Sequence, residues 1–443
     1  MNHLQSEGDL NISLRRAAWA KKHIDPETQQ WLDADAAVFL HQSLSTPCLN
    51  VLHGCEGAHV EDLQGRRILD FHGNNVHQVG FSNPKVIGAI TKQMQELSFC
   101  PRRYTNIPAI RLAEKLAALA PGDLNRVLLV PGGTEAIGMA MKLARAATGR
   151  FKTISMWDSF HGASLDAISI GGEAIFRKDI GPLLPGAEHV PPPDPAHCPF
   201  CKKSCTLQCA DYVEYVLEKE GDVCAVIAET VRSTPFIPPV DYWKKIRAAC
   251  DKHGALLILD EIPTCLGRTG SMFVCEQYNI VPDMLVVGKG LGGGIFPLAA
   301  LIAREGLNKA MPDRALGHYT HEKNPVACAA ALAAIEFLED EKILEHVRDL
   351  GAYTLDQLHA MQQKHPIIGD VRGKGLLIGV ELIRANGDRA TDEAEHVLYE
   401  ALRHGLSFKI TMGNILTLTP ALTITREEMD EALGILDTCF QSL

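Results

Sequence analysis

Between residues 126 and 290 the apolar positions cluster in short runs instead of alternating with polar ones, at Val127–Val130, Ala225–Ala228, Leu256–Leu259 and Met284–Val287, with Thr153–Met156 as a further strand. Runs of this kind predict strands covered on both faces. Segments of helical period separate them, notably Thr134–Thr148 and Tyr242–His253. Strand and helix in alternation predict a parallel sheet with crossover helices. Earlier in the chain, Val51–Phe71 alternates well enough for a small antiparallel sheet turning at Asp62–Gly65. Asn83-Pro84 opens a helix to about Leu97, and Arg111–Ala120 reads as another. Residues 1 to about 45 carry helical patterning with acidic breaks, and 180–212 read as an irregular insertion rich in proline and cysteine. After Asn324-Pro325 the pattern changes to long helices (327–339, 341–363), a strand pair around Gly375–Leu382, a helix from 391, a strand at Ile415–Leu418 and a closing helix. The expected fold class is therefore α/β, with a large domain built on a mixed, mostly parallel sheet sandwiched by helices. A smaller α+β domain joins the C-terminal part to the N-terminal segment. The expected division is 1–75 (arm and small sheet), 76–325 (large domain) and 326–443 (small domain).

Two of the buried strands end in a charge. Leu256-Leu-Ile-Leu runs into Asp260-Glu261, and Asp283-Met-Leu-Val-Val-Gly288 runs into Lys289, followed by Gly290-Leu-Gly-Gly-Gly294. The carboxyl edge of such a sheet is where open α/β folds bind ligands. An ionised carboxylate and an amine are costly there unless they answer each other or a ligand lies between them. At roughly 4 Å and an effective dielectric near 20 the pair is worth about 4 kcal/mol before desolvation. The glycines after Lys289 favour the ligand, because they let something approach the backbone closely. Pyridoxal 5'-phosphate explains both groups: an amine for its aldehyde, and a carboxylate that keeps its ring nitrogen protonated.

Other motifs fall at the same edge. Pro131-Gly132-Gly133-Thr134-Glu135 joins a strand to a helix and offers free N–H groups and a hydroxyl to a phosphate, with Glu135 as the discordant charge; an ordinary N-cap turn is the alternative. Phe160, in Ser159-Phe-His161-Gly162, is placed to stack on one face of the cofactor ring, and Ile262 to cover the other. Glu229 and Arg232 close the strand that begins at Ala225, either toward the pocket or as a mutual ion pair. Cys198-x2-Cys201-x3-Cys205-x3-Cys209 is the only zinc-like spacing, but its loops are short for a tetrahedral site, so the expectation is no metal and reduced thiols packing a loop.

Composition narrows the class. With 443 residues, 46% hydrophobic and 22% charged, the chain has the content of a soluble globular protein long enough for two or three domains. A net charge of −11 argues against nucleic acid or an anionic membrane as partner. No apolar run is long enough to span a membrane, Met1–Gly8 lacks a signal pattern, and several of the thirteen cysteines sit in apolar runs, which together predict a cytoplasmic protein.

From about residue 45 onward the chain resembles the class III (ornithine/GABA-type) aminotransferases of fold-type I. The resemblance rests on Gly132-Gly-Thr-Glu-Ala136, Phe160-His-Gly162, Glu229, Leu259-Asp-Glu-Ile262, Gly267-Arg-Thr-Gly270, Pro282-Asp283, Gly288-Lys-Gly-Leu-Gly-Gly293, Thr320 and Asn324–Ala330. It implies Lys289 as the Schiff-base lysine, Asp260 on the pyridine nitrogen, Gly133 and Thr134 on the phosphate, Phe160 against the ring, and Thr320 reaching the phosphate of a neighbouring subunit. A homodimer with active sites at its interface is implied as well.

The chain departs from the family's pattern in two places. Thr417 stands where an arginine commonly holds the carboxylate of a dicarboxylic amino acceptor, which deprives Glu229 of its expected partner, and the usual Asp-Glu-Val-Gln reads Asp260-Glu-Ile-Pro263. Loss of that arginine resembles the branch that eliminates instead of transaminating, on small amines bearing phosphate or phosphonate, with ammonia and an aldehyde as products. Arg103 and Arg232 are the candidate cations for such a group. The alternative within the family is an ω-aminotransferase acting on a primary amine and a keto acid. Outside it stand a P-loop ATPase, which lacks the required Gly-x4-Gly-Lys-Ser/Thr, and a zinc-bearing interaction protein.

Overall fold

Ser13 and Asp25 accept backbone N–H groups and so begin the first two helices, α1 (Leu14–His23) and α2 (Pro26–Val38). The computed structural model describes residues 12–201, 204–310, 312–313 and 315–443, and the first eleven residues of the expected N-terminal arm lie outside it. Strands β1 (Leu52–Glu56), β2 (His59–Asp62) and β3 (Arg67–Asp70) follow, and the Gly65 N–H donates to the Asp62 carbonyl in the turn between β2 and β3. Then come α3 (Pro84–Glu96), α4 (Ile107–Leu119), β4 (Leu124–Val130), α5 (Gly133–Thr148), β5 (Lys152–Met156), α6 (Leu165–Ile170), α7 (Ala174–Arg177) and β6 (Ala187–Val190). The chain continues through α8 (Gln208–Glu220), β7 (Val223–Glu229), α9 (Tyr242–His253), β8 (Leu256–Asp260), β9 (Met284–Val287), β10 (Ala299–Arg304), α10 (Glu305–Asn308) and α11 (Pro325–Asp340). It ends with α12 (Ile343–Lys364), β11 (Ile368–Lys374), β12 (Leu377–Leu382), α13 (Thr391–Arg403), β13 (Leu406–Ser407), β14 (Lys409–Thr411), β15 (Ile415–Leu418) and α14 (Arg426–Gln441).

These elements form two compact units. One comprises Pro84–Glu345, and the other joins the chain up to Asn83 to His346–Leu443. The boundaries therefore fall after residues 83 and 345, where the sequence suggested 75 and 325. The later one moves because α11 packs its alanine-rich flank on α3 and α4, inside the first unit. In that unit a seven-stranded sheet runs β4-β10-β9-β8-β7-β5-β6. Strand β10 is antiparallel to both neighbours and the remaining pairings are parallel. Every residue of β7 and β9 is buried, as their unbroken apolar runs require. Two elements fall inside the stretch 180–212 that the sequence left irregular. Strand β6, Ala-Glu-His-Val, pairs on one edge only and so needs no apolar run, and α8 begins at Gln208.

The second unit holds two sheets. In one, β1, β2 and β3 pair antiparallel and β13 joins β3 in parallel; in the other, β11-β12-β15-β14 is antiparallel throughout. No helix among the described residues is long and apolar enough to cross a membrane.

Candidate active site

Strand register brings the charges into line. Glu229 lies opposite Asp260 across β7 and β8, and Asp260 lies opposite Val286 across β8 and β9. Lys289 follows three residues beyond Val286, so three ionisable groups leave one sheet edge from adjacent strands.

Asp260 is 2% exposed. One carboxylate oxygen is 2.8 Å from His161 Nδ1 and the other accepts the Ile262 N–H at 3.0 Å. These contacts fix the carboxylate plane, and His161 Nε2 is itself buried without a hydrogen-bond partner among the described residues. His161 is the residue that sequence reasoning missed: it was read only as part of a Phe-His-Gly motif, and a partner 99 positions away leaves no local signal.

Lys289 is half-buried and holds φ at +48°, the left-handed region that a lysine seldom enters. Holding a non-glycine residue there costs about 1–3 kcal/mol, a strain that concentrates at working sites. Ile262 lies between two glycines. A Cβ at Gly133 would stand 2.7 Å from its Cδ1, and one at Gly288 would stand 3.2 Å from its Cγ2. The turn at Gly133, the Asp260 strand and the Lys289 strand thus meet on one side chain.

Gly132 caps α5 without a side-chain hydrogen bond, which leaves the first N–H groups of a 16-residue helix for an anion. A Cβ at Gly162, φ +126°, would fall 2.3 Å from Thr134 Oγ1, so only glycine lets that hydroxyl close on the turn. The Glu135 carboxylate lies back against Gly132, 2.7 Å from where its Cβ would be. Phe160 is half-buried with its ring 4.8 Å from that of Phe176.

The remaining candidates are placed differently. Arg232, 5% exposed, lies between two buried carboxylates, 3.6 Å from Glu173 and 3.5 Å from Glu229, and its guanidinium is 5.3 Å from the Phe236 ring. Its positive charge is thus matched within the chain, and Glu173 was not foreseen. Arg103 is exposed in the loop between α3 and α4, with no ion pair among the described residues, and Thr320 is exposed before α11. Thr417 is fully buried on β15 and its hydroxyl is 2.8 Å from that of Thr411. Among the described residues no three His, Cys, Asp or Glu side chains are grouped to hold a metal ion; Cys201 instead accepts the Thr206 N–H at 3.4 Å.

Glu261, next to Asp260, is wholly structural. It accepts from Thr230 Oγ1 (2.7 Å) and from the N–H groups of Val274 (2.6 Å) and Cys275 (2.8 Å), so it has no place in activating water for an ATPase. Burial pushes its carboxyl up to about 7, against the pull of those donors. Because the folded state then holds a proton that the unfolded state releases near 4.5, this group's contribution to stability is full below 4.5 and is lost as pH rises toward 7. Urea midpoints of the wild type and Glu261→Gln, compared at pH 5 and 7.5, should show the wild type losing more between the two.

The arrangement fits pyridoxal phosphate: an uncapped, glycine-lined helix start for the phosphate, a buried oriented carboxylate for the ring nitrogen, and an amine on the adjacent strand. The profile of the aminotransferase class-III family matches residues 42–440. The chain belongs to that family. Its fold is fold-type I and its cofactor is pyridoxal phosphate. A (R)-1-hydroxy-2-aminoethylphosphonate ammonia-lyase from Vibrio splendidus is 49% identical over 98% of this chain and 95% of its own. A leucine/methionine racemase from Thermococcus litoralis is 37% identical over 86% and 88%. Among solved structures, a PLP-bound amine transaminase from an uncultivated Pseudomonas species is 29% identical with a TM-score of 0.85, covering 91% of this chain and 98% of that one.

Proposed function

We propose that this class III enzyme is a lyase that removes ammonia from 1-hydroxy-2-aminoethylphosphonate and leaves phosphonoacetaldehyde. The observation that carries the reading is the 49% likeness, over nearly both full lengths, to an ammonia-lyase for that compound. Thr417 agrees with it. A hydroxyl engaged with Thr411 offers a keto acid none of the two-pronged charge of a guanidinium.

Pyridoxal phosphate, when bound, supplies an electron sink for the carbon next to the substrate nitrogen. The chain supplies the rest. Gly133, Thr134 and the start of α5 hold the phosphate, and Thr320 does so for the neighbouring subunit of a homodimer. Phe160 and Ile262 hold the ring between them. Asp260, oriented by His161, would hold a proton at the ring nitrogen, and Glu229 stands beside it at the sheet edge with Arg232 as its counter-charge. Lys289 Nζ takes the proton from the carbon bearing nitrogen, and the hydroxyl on the neighbouring carbon leaves with a proton as water. Tautomerisation of the resulting enamine and hydrolysis return that water and release the aldehyde and ammonia. Arg103 is the candidate for contact with the phosphonate; Arg232, already matched by two carboxylates, serves it less well. The same reading puts the enzyme at work in the cytoplasm, a compartment that keeps thiols reduced.

Purified enzyme given the hydroxyaminophosphonate should release ammonia and aldehyde in equal amounts without any keto acid. A strict requirement for pyruvate or 2-oxoglutarate, with alanine or glutamate formed in step, would replace this reading with the ω-aminotransferase one.

A further inference from the structure

Eight of the thirteen cysteines are buried, and of the five that reach solvent only Cys198 and Cys201 hydrogen-bond to each other among the described residues. Both are half-buried in the loop between β6 and α8, within the first unit. A Cys-x-x-Cys pair between a strand and a helix, in a chain whose cysteines are all free thiols, has the spacing of a redox-active dithiol.

The loop is anchored at both ends. At its start the buried Asp194 carboxylate accepts the Ala196 N–H at 3.0 Å and stands 2.8 Å from Nδ1 of His197, the residue before Cys198. At its end Cys209 and Ala210 are buried in the first turn of α8. The two thiols of the pair differ. The Cys201 sulfur meets the Thr206 hydroxyl at 3.3 Å and accepts the Thr206 N–H at 3.4 Å, and the Cys198 thiol donates to it. These contacts, those of Thr206 first, hold the Cys201 thiol down at about 7. Burial holds the Cys198 thiol above its usual range and pushes that of Cys209 up to about 12. A readily ionised thiol with a protonated one against it is the arrangement in which one sulfur attacks an oxidant and the other resolves the product.

We propose that Cys198 and Cys201 are a modification site, closing to a reversible disulfide when the enzyme meets a hydroperoxide. The Cys201 thiolate attacks a peroxide oxygen, so that an S–O bond forms as the O–O bond breaks. The departing oxyanion takes up the proton that Cys201 gave to solvent, and leaves as an alcohol or, from hydrogen peroxide, as water. Cys198 then attacks the Cys201 sulfur. The S–S bond forms, the S–O bond breaks, and hydroxide leaves with the Cys198 proton as water. The two thiols give up two electrons and the peroxide receives them. In a reducing compartment such a disulfide is transient, and a dithiol reverses it. None of these residues has a part in the lyase reading, and the inference stands apart from it.

Holoenzyme reduced with dithiothreitol, freed of it and treated with hydrogen peroxide should lose two thiols and the mass of two hydrogens per chain. Peptide mapping without reduction should place the crosslink between Cys198 and Cys201, and dithiothreitol should restore both thiols. Cys198→Ser should stop at the sulfenic acid, which dimedone captures on Cys201. Cys201→Ser should lose both the crosslink and the dimedone adduct in this loop, which a merely structural role would not predict. A crosslink through Cys205 or Cys209, a dimedone adduct on either of them in Cys198→Ser, or no loss of thiols in the wild type would overturn the proposal. So would one zinc ion per chain in the purified enzyme, held by these cysteines and shielding them from peroxide. Should a variant fail to fold, the crosslink map of the wild type decides alone.

Discussion

Lys289→Ala should abolish covalent attachment of pyridoxal phosphate and lower turnover by roughly 10⁴-fold or more, since nucleophile and proton acceptor vanish together. Lys289 is the amine that the chain places at the end of β9, in a backbone conformation that disfavours any side chain but glycine's. Alanine bears the same strain without the function, so the variant's stability should stay close to that of the wild type. Borohydride reduction followed by peptide mapping is the direct measurement. A pyridoxyl label on any other lysine of the wild type would remove Lys289 from the role.

Asp260→Asn should fold and bind cofactor yet lose several kcal/mol of barrier lowering, about 10²–10³-fold or more in kcat. An amide cannot hold the ring nitrogen protonated. It also faces His161 Nδ1, now 2.8 Å from a carboxylate oxygen, so the substitution disturbs an orienting contact as well as a charge. His161→Gln separates the two effects: it keeps the carboxylate while loosening its plane, and should cost less than Asp260→Asn. Near-normal turnover in Asp260→Asn would dismiss the assignment, and a His161→Gln loss as large would make orientation the dominant part.

Much of this was legible in the chain because burial on both faces leaves a strong mark. Strands β7, β8 and β9 read directly as apolar runs, and the charge at the end of β8 and just beyond β9 marked the sheet edge. Strand β6 left no such mark, because an edge strand has one paired side and tolerates Glu188 and His189. Strand β10 is apolar enough but follows the glycines after Lys289, and nothing local says that it inserts antiparallel between β4 and β9. The site shows the same limit. Asp260 and Lys289 announce themselves by breaking apolar runs, whereas His161 with Asp260, and Glu173 with Arg232, become pairs only when the crossovers bring separate strand ends together. Arg232 looked free for a substrate because the sequence offered Glu229 but gave no reason to count Glu173 as well.

The seating of Ile262 between Gly133 and Gly288 has a practical consequence for anyone altering this enzyme's substrate range. A methyl group added at 133 meets the end of the isoleucine, Cδ1, at 2.7 Å, and one added at 288 meets its Cγ2 at 3.2 Å, so a change at either glycine should first displace the Ile262 side chain. Paired changes are the productive route: Gly133→Ala together with Ile262→Val or Ile262→Ala. The three positions should be diversified as one unit, with volume removed at 262 for whatever is added beside it.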